Sequence, residues 1–300
     1  MVKAAADSIQ VSWIIGGSIV FKGITTEILA SFNLDGSLDE GYLRDLVDFQ
    51  LESGINAFFV CGLTPAETLC LNTEEKAQLA SMVCRAVSGR VPVMSNVITN
   101  SYRDGIDLIW RFEDAGSDAV CITQPMVYKF SEEALYEYYA RLISVSTKPV
   151  FLYNQPLSGN LLSPGLVSRL VHDFDRVAGY KDSTNDVTHL QTVILHTEDR
   201  KLDIVTGSDS TIFTSLTLGC IGGVSYLSGI FPRVMLDITD RYFAGDISGA
   251  MEAQQRALRI RELLKTADAR SAYRMCSTLT GHPMGSSKLP DAMLYVRDEK

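Results

Sequence analysis

Positive charge is in short supply. The chain carries 27 lysines and arginines against 36 aspartates and glutamates, a formal net charge of −9. A surface that holds a nucleic-acid backbone or an anionic membrane needs the opposite balance, so neither partner is expected. Histidine is scarce, at four residues, and the six cysteines (Cys61, Cys70, Cys84, Cys121, Cys220, Cys276) form no C-x-x-C pair and no His-Cys metal spacing. No metal is implied, and thiols set inside apolar stretches read as reduced, buried side chains of a cytosolic protein. Long hydrophobic runs are missing too. The apolar stretch from Val11 to Phe21 is interrupted by Gly16, Gly17 and Ser18 and is too short to span a bilayer. It has no basic start and no small-residue cleavage site, so it reads as an extra strand or ordered arm rather than a signal peptide. Finally, no glycine-rich phosphate turn follows the first strand, which counts against an open, doubly wound nucleotide-binding sheet.

What is present is a large core and a regular alternation. Of 300 residues, 46% are hydrophobic and 21% charged, enough for one barrel-sized domain. From Gly23 onward, short apolar runs alternate with stretches of helical apolar spacing, separated by brief polar breaks. The strands are expected at Ile24–Ala30, Ala57–Cys61, Val91–Ser95, Ala119–Thr123, Pro149–Tyr153, Val177–Lys181, Ile204–Thr206 and Gly223–Tyr226. Thr73 is a plausible cap for the second helix. Eight strand-then-helix units imply an α/β fold, a (β/α)8 TIM barrel over residues 21–245. Residues 1–20 would be an N-terminal extension and residues 246–300 a C-terminal helical extension, with helices at Ile247–Leu264 and Ala269–Leu279.

In a barrel of parallel strands, reactive side chains collect where strands end. One such end is R-V-A-G-Y-K-D-S-T-N-D at 176–186, where Lys181 follows an apolar run. An amine pointed into an apolar cavity is disfavoured as an ammonium ion, and a neutral lysine can attack a ketone to form an imine. Its plain alternative is a lysine paired with a neighbouring carboxylate. A second end is P-V-F-L-Y-N-Q-P at 149–156, where Tyr153 closes the run before Asn154 and Pro156. One helix separates the two, so Tyr153 and Lys181 belong to adjacent strands. A phenol beside an imine-forming amine can move protons, and otherwise it is a core tyrosine bonded to backbone.

Other strand ends are less specific. Gly62, Leu63 and Thr64 follow strand two, where glycine and a hydroxyl can gather N–H and O–H groups around a carboxylate, or simply make a turn. Gly207, Ser208 and Asp209 follow strand seven. Asp209 is by default a cap for the next helix and otherwise a partner for substrate hydroxyls. Ser225 closes strand eight. Tyr128, after strand four, either lines the pocket or packs at an interface. The four histidines fall on helices or in the tail and are not expected to do chemistry.

Several stretches together resemble the dihydrodipicolinate synthase and N-acetylneuraminate lyase superfamily of class I, pyruvate-linked aldolases. They are G-I-T-T-E-I-L-A-S-F-N-L-D-G-S at 23–37, the strand-two turn, Y-N-Q-P-L-S-G at 153–159, G-Y-K-D-S-T-N-D at 179–186, G-S-D at 207–209 and G-G-V-S-Y-L-S-G-I-F-P at 222–232. The resemblance covers about residues 21–300. It implies a lyase in which Lys181 forms a Schiff base with a 2-keto acid such as pyruvate and Tyr153 moves the proton. Thr64 and the turn around Gly62 and Leu63 would hold the carboxylate. Ser158, Gly207, Asp209 and Ser225 would meet the rest of a small-molecule substrate. No cofactor beyond the covalent lysine imine is implied, and the resemblance suggests a homotetramer built as a dimer of dimers.

Departures from the family pattern point away from its synthase branch. That branch has an arginine shortly after the Tyr-Asn-x-Pro turn, where this chain has Leu157, Ser158 and Gly159, and a second tyrosine where this chain has Val127. The expectation is therefore an aldolase or lyase acting on a 2-keto-3-deoxy sugar acid. A dihydrodipicolinate synthase-like enzyme or a keto-deoxy acid dehydratase would use the same imine. Leu63 and Pro65 replace a hydroxyl and a backbone donor of the family turn, which leaves a third reading, a catalytically weak keto-acid-binding paralogue.

Overall fold

Eight parallel strands close on themselves, each hydrogen-bonded to its neighbours in sequence, and the eighth returns to pair with the first. The computed structural model describes residues 14–15, 18–19, 21–63, 68–266 and 269–288. The strands are β1 (Gly23–Glu27), β2 (Ala57–Val60), β3 (Val93–Val97), β4 (Ala119–Thr123), β5 (Val150–Asn154), β6 (Val177–Asp182), β7 (Asp203–Thr206) and β8 (Gly222–Ser225). Between them run α1 (Glu40–Glu52), α2 (Thr73–Val87), α3 (Tyr102–Asp114), α4 (Glu132–Val145), α5 (Pro164–Asp173), α6 (Val187–His196) and α7 (Ile212–Thr217). After β8 come α8 (Pro232–Phe243), α9 (Ile247–Leu264) and α10 (Ala269–Leu279). This is the (β/α)8 barrel that the alternation implied, with C-terminal helices at the expected bounds.

The strand boundaries follow from burial on both faces. Inward residues alternate with outward ones, so each strand reads as a continuous apolar run. Phe21, Ala57, Phe59, Met94, Cys121, Phe151, Tyr153, Val205 and Val224 fill the barrel interior. Ile24, Phe58, Val60, Ile122, Leu152 and Tyr180 face outward, under the helices. Phe21 plugs the interior edge-on to Phe151, with ring centroids 5.2 Å apart. Ahead of it, Ile14–Ile15 pairs antiparallel with Ser18–Ile19, which gives the expected extra strand a short hairpin form. Residues 1–13, 16–17 and 20 lie outside the described residues.

Helix starts are set by short polar side chains that accept from the first free backbone N–H groups: Asp39, Ser101, Ser131, Ser163, Asp186 and Asp246 do so. At α2 the cap is Asn72 rather than Thr73. Asn72 accepts from Glu75 N while the Glu75 carboxylate accepts from Asn72 N, a reciprocal pair that Thr73 inside the helix could not make. Among the described residues no helix is long and apolar enough to cross a membrane.

One irregularity decides what the barrel presents. Val150 pairs with Val177, but Phe151 pairs with Gly179, so β6 carries one residue more than β5. Strict alternation from the outward-facing Val177 would turn Lys181 outward as well. The extra residue resets the phase, and Lys181 pairs with Tyr153 on the inward side.

The interior is packed tightly enough for truncation to be costly. Phe151→Ala removes a ring that is 1% exposed and leaves a hole beneath Tyr153. It should lower unfolding stability by about 3–5 kcal/mol, read as a drop in urea midpoint at unchanged slope.

Candidate active site

The barrel mouth at the C-terminal ends of the strands opens into a cavity of about 440 Å³. Glu27 of β1, Tyr153 of β5, Gln155, Ser183, Thr184, Gly207, Asp209, Tyr226 and, from outside the barrel, Arg261 of α9 all line it. Lys181 does not itself line the cavity: it is 1% exposed and packs behind the lining residues Tyr153 and Gly207. Its Nζ sits 3.7 Å from the centre of the Tyr153 ring and 3.8 Å from that of Phe59. The two rings meet edge to face and box the amine in. The lysine stem packs against Gly207: a β carbon there would come within 2.9 Å of Lys181 Cε and 2.1 Å of Ser183 Oγ. A glycine at this point is a space requirement, and it lets β7 close over the amine.

The Tyr153 hydroxyl is held on both sides. Gln155 Nε2 donates to it at 2.7 Å and Ser183 Oγ at 3.3 Å. With its oxygen accepting, the phenol keeps its own proton for a ligand in the cavity. Behind it, outward-facing Asn154 donates to Leu162 O and to the Tyr180 hydroxyl, and His189 Nε2 lies 2.8 Å from that same hydroxyl. His189 thus belongs to the network that braces β5 and β6 from outside the barrel. Asp182 accepts from the backbone and hydroxyl of Thr184, which shapes the loop after Lys181.

Asp209 is not a helix cap. The cap position of α7 is Thr211, which makes no side-chain capping bond. Asp209 is instead buried, accepting from Leu227 N at 3.1 Å and from Arg261 at 3.1 Å. Burial raises its pKa, and the guanidinium opposes that rise. Gln254 on the same face of α9 donates to Asp209 O, so α9 clamps the β7 loop twice. Asp209 Oδ1 and Arg261 Nε are both buried without a partner.

The other residues singled out from sequence are placed less uniformly. Gly207 and Asp209 line the cavity. Ser225 is buried, and its hydroxyl accepts from Ser228 N and also meets the Asp209 carboxyl. Ser158 caps its own turn, bonded to Asn160 N and O. Leu63 is buried, and Gly62 O accepts from Thr68 Oγ1 at 2.6 Å. Thr64 and Pro65 lie outside the described residues. The space beside Gly62 is taken: a β carbon on it would fall 1.6 Å from Glu27 Oε1. Tyr128 is exposed, as is Val127, which has a positive φ of 74°. Among the described residues no group of His, Cys, Asp and Glu side chains is arranged to hold a metal ion.

Glu27, Gln155, Ser183, Tyr226 and Arg261 were not singled out from sequence. Glu27 did leave a signal, since G-I-T-T-E-I-L-A places one acid inside a fully buried strand. Thr26 faces outward, bonded to Gln50 of α1, and period-two alternation then turns Glu27 inward. Arg261 left none, because α9 is remote in sequence and its docking is a tertiary fact.

Burial pushes the Glu27 carboxyl up to about 7, with Lys181 opposing the shift and Asp209 adding to it. A carboxyl whose folded-state value is raised contributes most stability below its ordinary range, and that contribution is lost as pH rises through about 7. Glu27→Gln should therefore be more stable than the parent at pH 8, by about 3 kcal/mol, and by less than about 1 kcal/mol at pH 5. Urea unfolding at the two pH values checks the sign.

The geometry can be set beside known proteins. Residues 20–296 match the profile of the dihydrodipicolinate synthetase family. The 4-hydroxy-tetrahydrodipicolinate synthase of Trichlorobacter lovleyi is 33% identical over 242 residues, covering 80% of this chain and 82% of that one. That of Bacillus subtilis is 30% identical over 271 residues, covering 90% and 93%. Among solved structures, YagE, an E. coli K12 prophage protein of the dihydrodipicolinic acid synthase family in complex with pyruvate, superposes with a TM-score of 0.85 at 28% identity. The match covers 91% of this chain and 93% of that one. The extent of the family match and the identity to these relatives lead to one conclusion: the chain belongs to the dihydrodipicolinate synthetase family, whose chemistry is of the class I, pyruvate-dependent aldolase type.

Proposed function

We propose that this protein is a carbon–carbon lyase that joins pyruvate to an aldehyde, or releases it, through an imine on Lys181. The observation that carries the reading is the paired register of Tyr153 and Lys181, with the amine against the ring of a tyrosine that lines the cavity. The Lys181 amine adds to C2 of pyruvate and water leaves. The resulting iminium draws electrons from C3, and the enamine attacks the aldehyde carbon. Tyr153, its oxygen fixed by Gln155 and Ser183, gives its proton to the aldehyde oxygen as that oxygen becomes an alkoxide. In cleavage the same steps run backward.

The relatives support a synthase-like use of this chemistry better than the sugar-acid use expected from Leu157, Ser158 and Gly159. The loop after β5 has no arginine, and Ser158 is turned into its own turn. A cation nevertheless lines the cavity, supplied by Arg261 from α9, and it suits an aldehyde with an anionic tail. The unpartnered Asp209 Oδ1 and Arg261 Nε favour a second reading, in which a hydroxyl of a sugar-derived aldehyde satisfies both. Pyruvate consumption with aspartate semialdehyde and, separately, with glyceraldehyde decides between them.

We further propose a homo-oligomer. Val127, Tyr128 and Leu157 are each more than two-thirds exposed, and the Val127 N–H to Ser158 O bond of 2.8 Å joins their two loops into one face. Light scattering of the purified protein tests it, with a mass of one chain as the contrary result.

With the accepted aldehyde, Lys181→Ala should abolish turnover. Tyr153→Phe should lower kcat by about 10²–10⁴-fold. Turnover by Lys181→Ala within tenfold of the parent would refute the proposal.

A further inference from the structure

Glu27 is a buried acid for which the fold gives no structural use. It is 8% exposed, its Oε1 has no hydrogen-bond partner, and it lines the same cavity as Tyr153. An unsatisfied buried carboxyl is costly and would be replaced by an apolar residue if packing were its only task. The neighbouring strand accommodates it by having Gly62 where any side chain would collide with the carboxyl. The reaction proposed above has a matching vacancy. Tyr153 can serve the aldehyde oxygen, but forming an imine also requires a proton for the departing C2 hydroxyl and a base for C3. Leu63, the first side chain after Gly62, has no ionisable group.

Resting on the imine reading of Lys181, we propose that Glu27 is the acid–base group of the pyruvate half-reaction. Lys181 N attacks C2, and the proton lost by nitrogen moves to the former carbonyl oxygen, giving a neutral carbinolamine. The Glu27 carboxyl then protonates that hydroxyl, the C–O bond breaks and water leaves. The nitrogen lone pair completes the C=N⁺ bond, so the iminium faces a Glu27 carboxylate. That carboxylate removes a C3 proton. The C–H electron pair forms the C2=C3 bond while the C=N⁺ electrons return to nitrogen, which regenerates the Glu27 acid beside a neutral enamine. One proton leaves the carboxyl and one returns, and no external acid, base or oxidant is needed.

The groups facing Glu27 are consistent with this cycle. Lys181 of β6 favours its ionised form, and Asp209 after β7, itself tied to Arg261 of α9, favours its neutral form. Cys121 of β4 also feels the Glu27 charge, but burial pushes that thiol up to about 12, so it remains protonated. Tyr273 of α10 feels it too and is raised by burial. Glu27, at about 7, is the group able both to give and to take a proton near neutral pH.

Pyruvate alone tests the proposal. Loss of the methyl proton signal in D2O reports C3 exchange, and borohydride reduction reports the imine. Glu27→Gln should slow exchange by 100-fold or more while still giving a reduced adduct on Lys181 after long incubation. Glu27→Asp should retain part of the rate. In the parent, the second-order exchange rate should turn near pH 7, and the turn should vanish in Glu27→Gln. Exchange by Glu27→Gln within threefold of the parent, with the turn unchanged, would overturn the role of Glu27. If Glu27→Gln fails to fold, as judged by circular dichroism, the parent profile decides, and a flat profile from pH 5.5 to 8.5 counts against the role. Failure of the parent to form any adduct is a separate outcome and would remove the imine reading itself.

Discussion

The inward alignment of Tyr153 with Lys181 is the constraint on which the rest of the structure depends. It arises from a single extra residue in β6, which corrects the in–out phase of a strand that would otherwise aim its lysine under the helices. Much of the surrounding sequence serves that alignment. Phe151 and Phe21 fill the interior below, Phe59 and the Tyr153 ring enclose the amine, and Gly207 makes room for its stem. On the outer face, Asn154, Tyr180 and His189 tie the two strand ends together. A side chain confined by packing on every side reacts from one geometry, which is where an enzyme of this kind gains its advantage over a free amine.

The electrostatics of the mouth are set by burial more than by pairing. Glu27 and Asp209 both lie deep, both are pushed toward their neutral forms, and the cations near them are Lys181 and Arg261. Most other ion pairs of the molecule are surface contacts, such as Arg169 with Glu133 and Arg241 with Asp246, worth little individually. These two buried acids of the mouth are therefore a cost in folding stability. They sit where a keto acid and an aldehyde would meet the chain.

Much of the architecture was legible in the sequence because a parallel barrel writes itself plainly. Each strand is buried on both faces, each helix has one apolar stripe, and polar turns separate them. Lys181 and Tyr153 could be read because each ends an apolar run at a strand terminus. The errors have local causes. Thr73 reads as a cap from sequence because it is a hydroxyl residue at the helix start, and only the reciprocal bond of Asn72 with Glu75 places the cap one residue earlier. Asp209 looked like a cap because its burial depends on α9, some fifty residues later. Ser158 follows the end of β5 but spends its hydroxyl on its own turn, and Ser225 shares its hydroxyl between its own turn and Asp209. Arg261 left no trace in the pattern, whereas Glu27 did, as the lone acid in a fully buried strand. The sugar-acid expectation rests on the missing arginine, the missing second tyrosine and the small Ser158 and Gly159, and α9 brings a cation to the same cavity from elsewhere.

The most direct measurement is a crystal structure of the protein grown with pyruvate. The account predicts unbroken electron density from Lys181 Nζ to C2 of the ligand, with the Tyr153 hydroxyl and the Glu27 carboxyl both facing the bound carbons. Pyruvate held without a covalent bond, or joined to any other lysine, would contradict it.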